Sequence, residues 1–373
     1  MENLKYHIIT YGCKLNENDS EKICGMVEEL DYNKTDLFEE ANLIIFNTCC
    51  IRENAEEKLF GKLGSLKNIK AKTGAIIAIG GCMMQEEHII EKINQKYKFV
   101  DIIFGTHTLH RLKEHLQKKS LNKIQDVEHI DGEVHEGLPM VRSSKEVASV
   151  TIMYGCNNYC TYCIVPYVRG RERSRDKKDI LNEIQGLAKS GYKEIILLGQ
   201  NVNSYKCEID ESTVYNFADL LHDVDKVDGI EKISFLSPHP KDFTDDVIFA
   251  IRDLKKVDRF IHLPLQSGST NVLKAMNRKY SKEEFLNLAD KIRKEVPDVR
   301  FGTDIIVGFP GETEEDFLDT LDVVKQVGFK QVFMFIYSRR VGTVADKMEN
   351  QIPDEIKHKR FDRLKSLVEQ VVK

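Results

Sequence analysis

Three cysteines on one short segment, MYGCNNYCTYCIVPYVRGRERSR, are the side chains best suited to chemistry. Cys156, Cys160 and Cys163, called here the barrel triad, follow the pattern Cys-x3-Cys-x2-Cys, with Tyr162 before the last of them. Three thiolates bind three irons of a cubane cluster, whereas a self-contained cluster takes four cysteines. The fourth iron then stays open to a small molecule, like the open position of a catalytic zinc. A structural zinc site is the alternative, but it needs a fourth Cys or His nearby in sequence, and none is present. The spacing predicts a catalytic iron–sulfur cluster.

Three further cysteines share one kind of position in the first part of the chain. Cys13, Cys49 and Cys82, called here the N-terminal triad, each follow a short apolar run and precede a helical stretch. Ligands of open α/β sheets bind at the carboxyl ends of the strands, so the triad predicts one shared metal site. The alternative is that each is a small buried apolar residue, the commonest state of a free cysteine. Cys50 is an alternative ligand to Cys49.

The elements that would position these cysteines follow from the apolar runs. Four continuous runs alternate with helical stretches and predict a parallel sheet covered on both faces; they span 6–10, 43–48, 75–81 and 100–104. Six more strand-then-helix units predict an incomplete (β/α)6 barrel with its active site at the C-terminal strand ends; the runs span 150–154, 194–199, 232–237, 260–266, 301–309 and 331–337.

The predicted fold class is therefore α/β, with an open parallel-sheet N-terminal domain followed by the incomplete barrel. Residues 121–145 are polar, lack sustained periodicity and contain Gly and Pro, which is typical of a linker. We expect the N-terminal domain at 1–120, the linker at 121–145 and the barrel at 146–373.

Composition excludes several classes of protein. Of 373 residues, 41% are hydrophobic and 31% charged, which is ordinary globular usage and excludes a disordered or collagen-like chain. No run of about 18 apolar residues is present to span a membrane, and the first residues show no secretory signal. Nine cysteines in such a chain indicate metal or redox chemistry rather than a disulfide framework. We expect a cytoplasmic protein with no membrane partner.

The cysteine motifs resemble those of a known family. The barrel triad with Tyr162 resembles the cluster motif of radical S-adenosylmethionine enzymes, and the whole chain resembles their methylthiotransferase family. The segments TYGCKLNENDSEK, FNTCCIRENAEEK and AIGGCMMQE are similar to the three cysteine motifs of that family's amino-terminal domain. The match continues through DIIFGTHTLHRL, LLGQNVNSY, HLPLQSGS and DIIVGFPGETEEDF.

Within the family, ENDSEK, CIRENAEEK and LLGQNVNSY most resemble the branch that methylthiolates carbon 2 of an isopentenylated adenosine beside a tRNA anticodon. The rivals are the branches that modify a ribosomal protein aspartate or threonylcarbamoyl-adenosine in tRNA. A rival of another class is a non-catalytic RNA-binding metal protein. Family members generally continue into a small carboxy-terminal β-barrel, the TRAM domain, which we expect this chain to lack.

The resemblance implies roles for particular residues. The N-terminal triad would hold an auxiliary 4Fe–4S cluster, and the barrel triad would hold the radical-generating one, whose open iron binds S-adenosylmethionine. Tyr162 would pack near the adenine of that cofactor. Two loops at strand ends are further candidates for contacts to the cofactor. Their residues are Gly199, Gln200, Asn201, Gly308, Gly311 and Glu312. The alternative is that each loop is a simple turn before a helix.

The implied partner is the tRNA anticodon stem-loop, with electron and sulfur donors left open. Residues 169–178 carry six basic and two acidic side chains, a local net charge of +4 just after the barrel triad. Contacts to the phosphate backbone supply most RNA affinity, so this segment predicts a phosphate-binding patch. The alternative is a solvated surface. The RNA-binding candidates are Arg169, Arg171, Arg173 and Arg175.

Overall fold

The computed structural model divides the chain into two compact units. It describes residues 3–50, 53–118, 122–128, 133–208 and 214–372. The first unit comprises Met1–Lys145 and Ile164–Arg173, and the second comprises Glu146–Cys163 and Ser174–Lys373. Across the described ranges, no helix is long and apolar enough to cross a membrane.

Six parallel strands form the sheet of the first unit. They are β1 (Lys5–Thr10), β2 (Asn33–Lys34), β3 (Leu43–Thr48), β4 (Ile76–Gly81), β5 (Ile102–Phe104) and β6 (Ile124–Asp126). Their order across the sheet is β2-β1-β3-β4-β5-β6. Strands β1, β3, β4 and β5 are those that the apolar runs predict. The short edge strands β2 and β6 are additional.

Helices cover both faces of this sheet. They are α1 (Lys14–Glu28), α2 (Glu53–Thr73), α3 (Glu87–Lys96), α4 (Leu112–Gln117) and α5 (Val165–Arg169). Alternate residues of β3 enter two cores: Phe46 packs with side chains of α2, α3 and α5, and Ile45 with side chains of α1 and α4. Every residue of β3 is buried for this reason, which accounts for its continuous apolar run.

Part of the expected linker packs against α1. Two side chains of this segment donate hydrogen bonds to the Glu21 carboxylate, Arg142 through Nη1 at 3.0 Å and Ser143 through Oγ at 2.7 Å. The backbone at Pro139 lies so close to Gly25 of α1 that a Cβ there would come within 2.3 Å of the Pro139 carbonyl. The division observed therefore differs from the expected boundaries: the segment 121–145 belongs to the first unit, together with 164–173.

The second unit contains the six barrel strands. The strands of the remaining chain are β7 (Val147–Thr151), β8 (Met153–Tyr154), β9 (Arg173–Ser174), β10 (Glu194–Leu198), β11 (Lys206–Glu208), β12 (Val214–Asn216), β13 (Lys232–Phe235), β14 (Phe260–His262), β15 (Arg300–Val307) and β16 (Gln331–Ile336). Parallel sheets form in the orders β7-β10-β13 and β14-β15-β16. These six strands are the ones that the sequence predicts for an incomplete barrel.

Helices alternate with the barrel strands. They are α6 (Lys177–Lys189), α7 (Phe217–Asp225), α8 (Asp245–Asp253), α9 (Thr270–Ala275), α10 (Lys282–Glu295), α11 (Glu314–Val327) and α12 (Asp354–Val371). Capping boxes at Asn216, Ser281 and Thr313 start α7, α10 and α11, because each side chain accepts the backbone N–H three residues on. These local signals place the three helix starts, and the one at Thr313 also ends the loop between β15 and α11.

Candidate functional site

The N-terminal triad lies at the carboxyl ends of three neighbouring strands. Cys13 follows β1 and is the N-cap residue of α1, Cys49 directly follows β3, and Cys82 directly follows β4. Strands β1, β3 and β4 are adjacent in the sheet. Cys49 and Cys82 are buried and Cys13 is half-buried. The parallel topology thus brings the ends of three segments, distant in sequence, to one edge.

A buried asparagine on α1 links these strand ends. Asn16 Oδ1 accepts a hydrogen bond from Cys13 Sγ at 3.5 Å and lies 3.9 Å from Cys82 Sγ. Its Nδ2 donates to the Thr48 carbonyl at 2.8 Å, next to Cys49. A single amide therefore contacts two cysteines of the triad and the residue before the third.

Cys50, the neighbour of Cys49 in sequence, also lies near the N-terminal triad. A Cβ at Gly12 would come within 2.9 Å of Cys49 Cβ, so Cys49 packs against the loop that carries Cys13. The Cys50 thiol hydrogen-bonds to Cys82, and this bond, together with Arg169, lowers the pKa of Cys82 to about 6 although burial raises it. The choice of Cys49 over Cys50 as ligand stays a prediction.

Arg169 is buried beside the N-terminal triad and does not face solvent. Its Nε donates to Cys82 Sγ at 3.1 Å, and its Nη2 lies 2.7 Å from Asp19 Oδ2 and 3.3 Å from Asn16 Oδ1. Only 5% of the residue is exposed. The prediction that Arg169 binds RNA phosphate is therefore wrong, because its guanidinium is committed to buried partners.

Arg175 is the second RNA-binding candidate that the structure corrects. It is buried, and its Nη1 donates to the Thr151 carbonyl and to Glu183, both at 2.7 Å. Arg171 is exposed and Arg173 is half-buried, with Nη1 of Arg173 donating to the Arg171 carbonyl at 2.9 Å. Arg171 and Arg173 remain as candidates for phosphate contacts.

The barrel triad lies on a loop that follows β8. Cys156 and Cys160 are buried, Cys163 is half-buried, and the Cys163 amide donates to the Cys160 carbonyl at 2.9 Å. The Thr161 amide donates to the Met276 carbonyl at 3.0 Å, at the end of α9. Next to it, Nδ2 of Asn277 donates to the carbonyls of residues 158 and 159. The cysteine loop is thus fixed by the turn at 276–277.

Arg278, in the same turn, is a site residue that the sequence analysis missed. Its Nη1 lies 3.5 Å from Cys160 Sγ, its Nε donates to the Tyr280 hydroxyl at 2.9 Å, and its Nη2 donates to the Pro264 carbonyl at 3.1 Å. Tyr162 lies on the cysteine loop and packs against a small core cluster that includes Met276, Phe309 and Tyr337. Burial raises the pKa of Tyr162, so its hydroxyl stays protonated.

The loop after β10 contains two buried side-chain oxygens that accept no hydrogen bond from the part of the chain that the structure describes. Gly199 has no room for a side chain, since a Cβ would lie 2.6 Å from Met153 Cγ. Asn201 Nδ2 donates to Asp242 at 2.8 Å. Among the described residues, Gln200 Oε1 and Asn201 Oδ1 are buried and accept no hydrogen bond.

The loop after β15 is fastened to α12. Gly308 and Gly311 have φ of +74° and +80°, which favours glycine at both positions. Glu312 Oε2 accepts hydrogen bonds from the Gly308 amide at 2.7 Å and from Arg360 Nη1 at 2.8 Å, whereas Oε1 is buried and has no partner within the described ranges. Burial raises the pKa of Glu312 to about 7, although these two donors lower it.

Neither triad is arranged around a single ion. In the part of the chain that the structure describes, no three or more His, Cys, Asp or Glu side chains lie close enough together to hold one metal ion. The spacing of these side chains therefore speaks only against a site for a single metal ion. A cubane cluster is larger than one ion, and its ligand sulfurs stand further apart.

Comparisons with known proteins identify the family. The radical SAM superfamily profile matches residues 150–324, and the uncharacterized protein family UPF0004 matches residues 5–105. The tRNA-2-methylthio-N(6)-dimethylallyladenosine synthase of Clostridium beijerinckii is 56% identical over 366 residues, covering 97% of this chain and 80% of that protein. The synthase of Clostridioides difficile is 53% identical, covering 97% and 76%. The chain belongs to the tRNA-2-methylthio-N(6)-dimethylallyladenosine synthase family.

Solved structures confirm the fold of this synthase family member. The radical S-adenosylmethionine methyltransferase TsrM of Kitasatospora setae superposes with a TM-score of 0.65 at 12% identity, covering 92% of this chain and 77% of that chain. The cobalamin-dependent radical enzyme OxsB superposes with a TM-score of 0.60 at 15% identity, covering 99% and 56%. These matches confirm the predicted α/β class with a partial barrel, and the superfamily match confirms the predicted radical enzyme.

The superfamily implies S-adenosylmethionine and a 4Fe–4S cluster, and the residues around the barrel triad fit both. Arg278 is buried, and no carboxylate among the described residues forms an ion pair with it. A buried charge without a counter-charge is costly, and an anionic cluster on the triad would supply one. The partnerless oxygens of Gln200, Asn201 and Glu312 likewise fit a polar cofactor.

Asn16 and Asp19 are two further residues that the sequence analysis missed. Both lie on α1, three and six residues after Cys13, and both are buried. The polar segment KLNENDSEK is also what a solvated helix start shows, so the sequence gives no sign that these two side chains are buried. Nothing in the sequence connects Arg278 to Cys160, 118 residues away.

Proposed function

We propose that this chain inserts a methylthio group at carbon 2 of N(6)-isopentenyladenosine beside the anticodon of tRNA, using S-adenosylmethionine and two 4Fe–4S clusters. The observation that carries the proposal is 56% identity over 97% of the chain to a synthase of that name. The position of the N-terminal triad at the carboxyl ends of the parallel strands β1, β3 and β4 supports it, as does the placement of the barrel triad on the loop after β8.

The ligand sets of the two clusters are part of the proposal. The barrel triad would hold the radical-generating cluster, and Tyr162, Gln200, Asn201 and Glu312 would contact S-adenosylmethionine. The N-terminal triad would hold the auxiliary cluster. When bound, these groups supply radical chemistry at an unactivated aromatic C–H bond, which acid–base groups do not provide.

The protein's own residues position and shield these groups. Asn16 fixes the side chains of Cys13 and Cys82 through one amide oxygen. Hydrogen bonds from the turn at 276–277 fix the loop of the barrel triad. Burial of most of the cysteines excludes water from their sulfurs. Such preorganisation holds the ligands of each triad in place before its cofactor binds.

The partner in this proposal is the tRNA anticodon stem-loop. Arg171 and Arg173 are the candidates for contacts to its phosphates, because Arg171 is exposed and Arg173 partly so. A tRNA substrate is consistent with the cytoplasmic location that the sequence suggests. The electron donor and the sulfur donor stay open.

Mass spectrometry of nucleosides from bulk tRNA tests the proposal directly. Cells without this gene should lose the methylthio form of N(6)-isopentenyladenosine and accumulate the unmodified one. The wild-type gene should restore it, and a Cys160→Ala gene should not. Unchanged tRNA with loss of a methylthio group on a ribosomal protein aspartate would favour the rival enzyme. No change in either would favour a non-catalytic RNA-binding protein.

The two triads should also be separable in the purified enzyme. Cys160→Ala should abolish reductive cleavage of S-adenosylmethionine, measured as 5′-deoxyadenosine, because it removes a ligand of the radical-generating cluster. Cys49→Ala should retain that cleavage and lose the methylthio product. Equal loss of both in the Cys49→Ala variant would mean that the triads do not have distinct roles.

A further inference from the structure

Each cysteine triad has a buried arginine directed at one of its sulfurs. Arg169 Nε lies 3.1 Å from Cys82 Sγ, in the first unit. Arg278 Nη1 lies 3.5 Å from Cys160 Sγ, in the second unit. Both arginines are more than nine-tenths buried. The same arrangement thus occurs twice, on unrelated local structures.

The two guanidinium groups differ in how their charge is balanced. Arg169 is paired with the buried Asp19 at 2.7 Å. The other partners of Arg278 are neutral, namely the Tyr280 hydroxyl and the Pro264 carbonyl. Arg169 therefore contributes a directed N–H donor with most of its charge compensated, whereas Arg278 contributes a donor and a charge that no described carboxylate pairs with.

Donors of this kind act on the redox state of an iron–sulfur cluster. A cluster gains one negative charge on reduction, so hydrogen bonds to its ligand sulfurs and nearby positive charge favour the reduced form. Burial strengthens the effect, because the interaction between charges grows as the local dielectric constant falls. Groups around the ligands control a metal site in this way without touching the metal.

We propose that Arg169 and Arg278 are positioning residues that raise the reduction potentials of the clusters held by the N-terminal triad and the barrel triad, respectively. The inference rests on the proposed function, since it requires each triad to hold a cluster. It goes beyond that function by assigning each cluster its own control residue. Because each arginine contacts a sulfur of a different triad, we expect the two potentials to be adjustable one at a time.

The experiment measures one cluster at a time in the full-length chain. In a Cys156→Ala/Cys160→Ala/Cys163→Ala background, only the auxiliary cluster forms, and Arg169→Met is combined with Asp19→Asn so that no buried carboxylate is left unpaired. In a Cys13→Ala/Cys49→Ala/Cys82→Ala background, Arg278→Met is examined. Anaerobically reconstituted proteins are titrated with dithionite and followed by electron paramagnetic resonance.

We expect each arginine variant to lower the potential of its own cluster. At the midpoint of the parent protein, the ratio of reduced to oxidised cluster should fall about tenfold, which is about 59 mV for a one-electron couple. Asp19→Asn alone is the matched control and should leave the potential unchanged or raise it, since it removes a negative charge and keeps Arg169. Arg252→Met, at an exposed arginine paired with Asp253 and Glu295, should change neither potential.

The outcomes separate this inference from the proposed function. Unchanged potentials in folded, iron-loaded arginine variants would overturn the inference and leave the proposed function standing. A parent protein that binds no cluster at either triad would overturn the proposed function instead. If the Met variants do not fold, Arg169→Leu with Asp19→Asn and Arg278→Gln decide the test, because the leucine removes the N–H donor of Arg169 and the glutamine removes the charge of Arg278. Wild-type potentials in these variants would equally overturn the inference.

Discussion

Cys49 and Cys50 show how two neighbouring thiols can have different surroundings. Cys49 lies against Gly12, beside Cys13, whereas Cys50 hydrogen-bonds to Cys82 and packs into the core under α2 and α3. A thiol that packs in an apolar core is the usual state of a free cysteine. Cys82, a predicted ligand, belongs to the same core cluster as Cys50, so core packing does not decide between Cys49 and Cys50, and the choice of Cys49 stays a prediction.

Iron content distinguishes the two cysteines. With the barrel triad replaced by alanine, reconstituted protein should bind about four irons, the content of one cubane cluster. Cys49→Ala should lose most of this iron, because a ligand is removed, and Cys50→Ala should retain it. Iron is measured by colorimetric assay and the cluster by its absorbance. Loss in the Cys50→Ala variant with retention in Cys49→Ala would reassign the ligand.

At the residue scale, the sequence does not reveal which of the predicted site residues are buried. The cysteines could be located in advance, because each follows an apolar run or stands in a spaced motif. Arg169 and Arg171 are both arginines of one basic segment, yet one is buried against Cys82 and the other is exposed. Their difference depends on the packing of α5 into the core, which involves residues far away in sequence.

At the element scale, a buried ion pair joins the loop after β15 to the last helix. Arg360 and Glu312 are both buried and lie 2.8 Å apart. Removal of one partner from such a pair leaves an uncompensated charge, which costs about 3–5 kcal/mol. Arg360→Ala should therefore lower the free energy of unfolding by about that amount in urea denaturation followed by circular dichroism.

A neighbouring exposed pair, between Arg363 of α12 and Glu314 of α11, provides the control. Arg363 and Glu314 lie 2.5 Å apart with about half of each side chain exposed. Exposed pairs contribute about 0–1 kcal/mol, so Arg363→Ala should change stability little. Equal effects of the two alanine variants would mean that the burial of Arg360 does not determine its contribution.

Gly25 of helix α1 lies directly against the backbone at Pro139, where a larger residue should not fit. A Cβ at Gly25 would lie 2.3 Å from the backbone of Pro139, which cannot rotate away as a side chain can. We expect Gly25→Ala to destabilise the protein by about 1–3 kcal/mol, the usual cost of overpacking. Gly64→Ala in α2, where a Cβ meets nothing within 4 Å, should stabilise it by about 0.5–1 kcal/mol. Thermal and urea unfolding compare the two; a neutral Gly25→Ala variant would contradict the close approach.

The strands show which elements the sequence could predict. All ten strands that the apolar runs predict are present. Nearly every residue of β3, β4 and β5 is buried, which accounts for their continuous apolar runs. β16 has no buried residue, so burial on both faces does not account for its run. β2 and β6 are not predicted, since Asn33 and Lys34 are exposed and β6 is short and largely polar. Such edge strands owe their existence to pairing with the neighbouring strand rather than to a pattern of their own.

At the scale of the whole molecule, charge limits how tRNA can bind. The chain has 55 basic and 60 acidic residues, a net charge of -5. Of the four arginines predicted to bind phosphate, Arg169 and Arg175 are buried in ion pairs. The segment 169–178 therefore offers fewer free cations than its sequence suggests, and binding through it should involve few phosphates.

The salt dependence of RNA binding measures this number. Each neutralised phosphate contributes a slope of roughly -0.9 on duplex and -0.7 on single strands to log K against log salt concentration. If Arg171 and Arg173 each contact a phosphate, replacing both with alanine should flatten the slope for an anticodon stem-loop by roughly 1–2 units. Fluorescence anisotropy over a series of salt concentrations gives the slope.

Arg252→Ala is the control for this series, because it removes an exposed arginine that is already paired with Asp253 and Glu295. Its slope should equal that of the wild type. Loss of an arbitrary surface cation would then not be sufficient to flatten the salt dependence. A double variant with an unchanged slope would mean that the basic segment is a solvated surface. The phosphate contacts would then have to come from basic residues elsewhere on the chain.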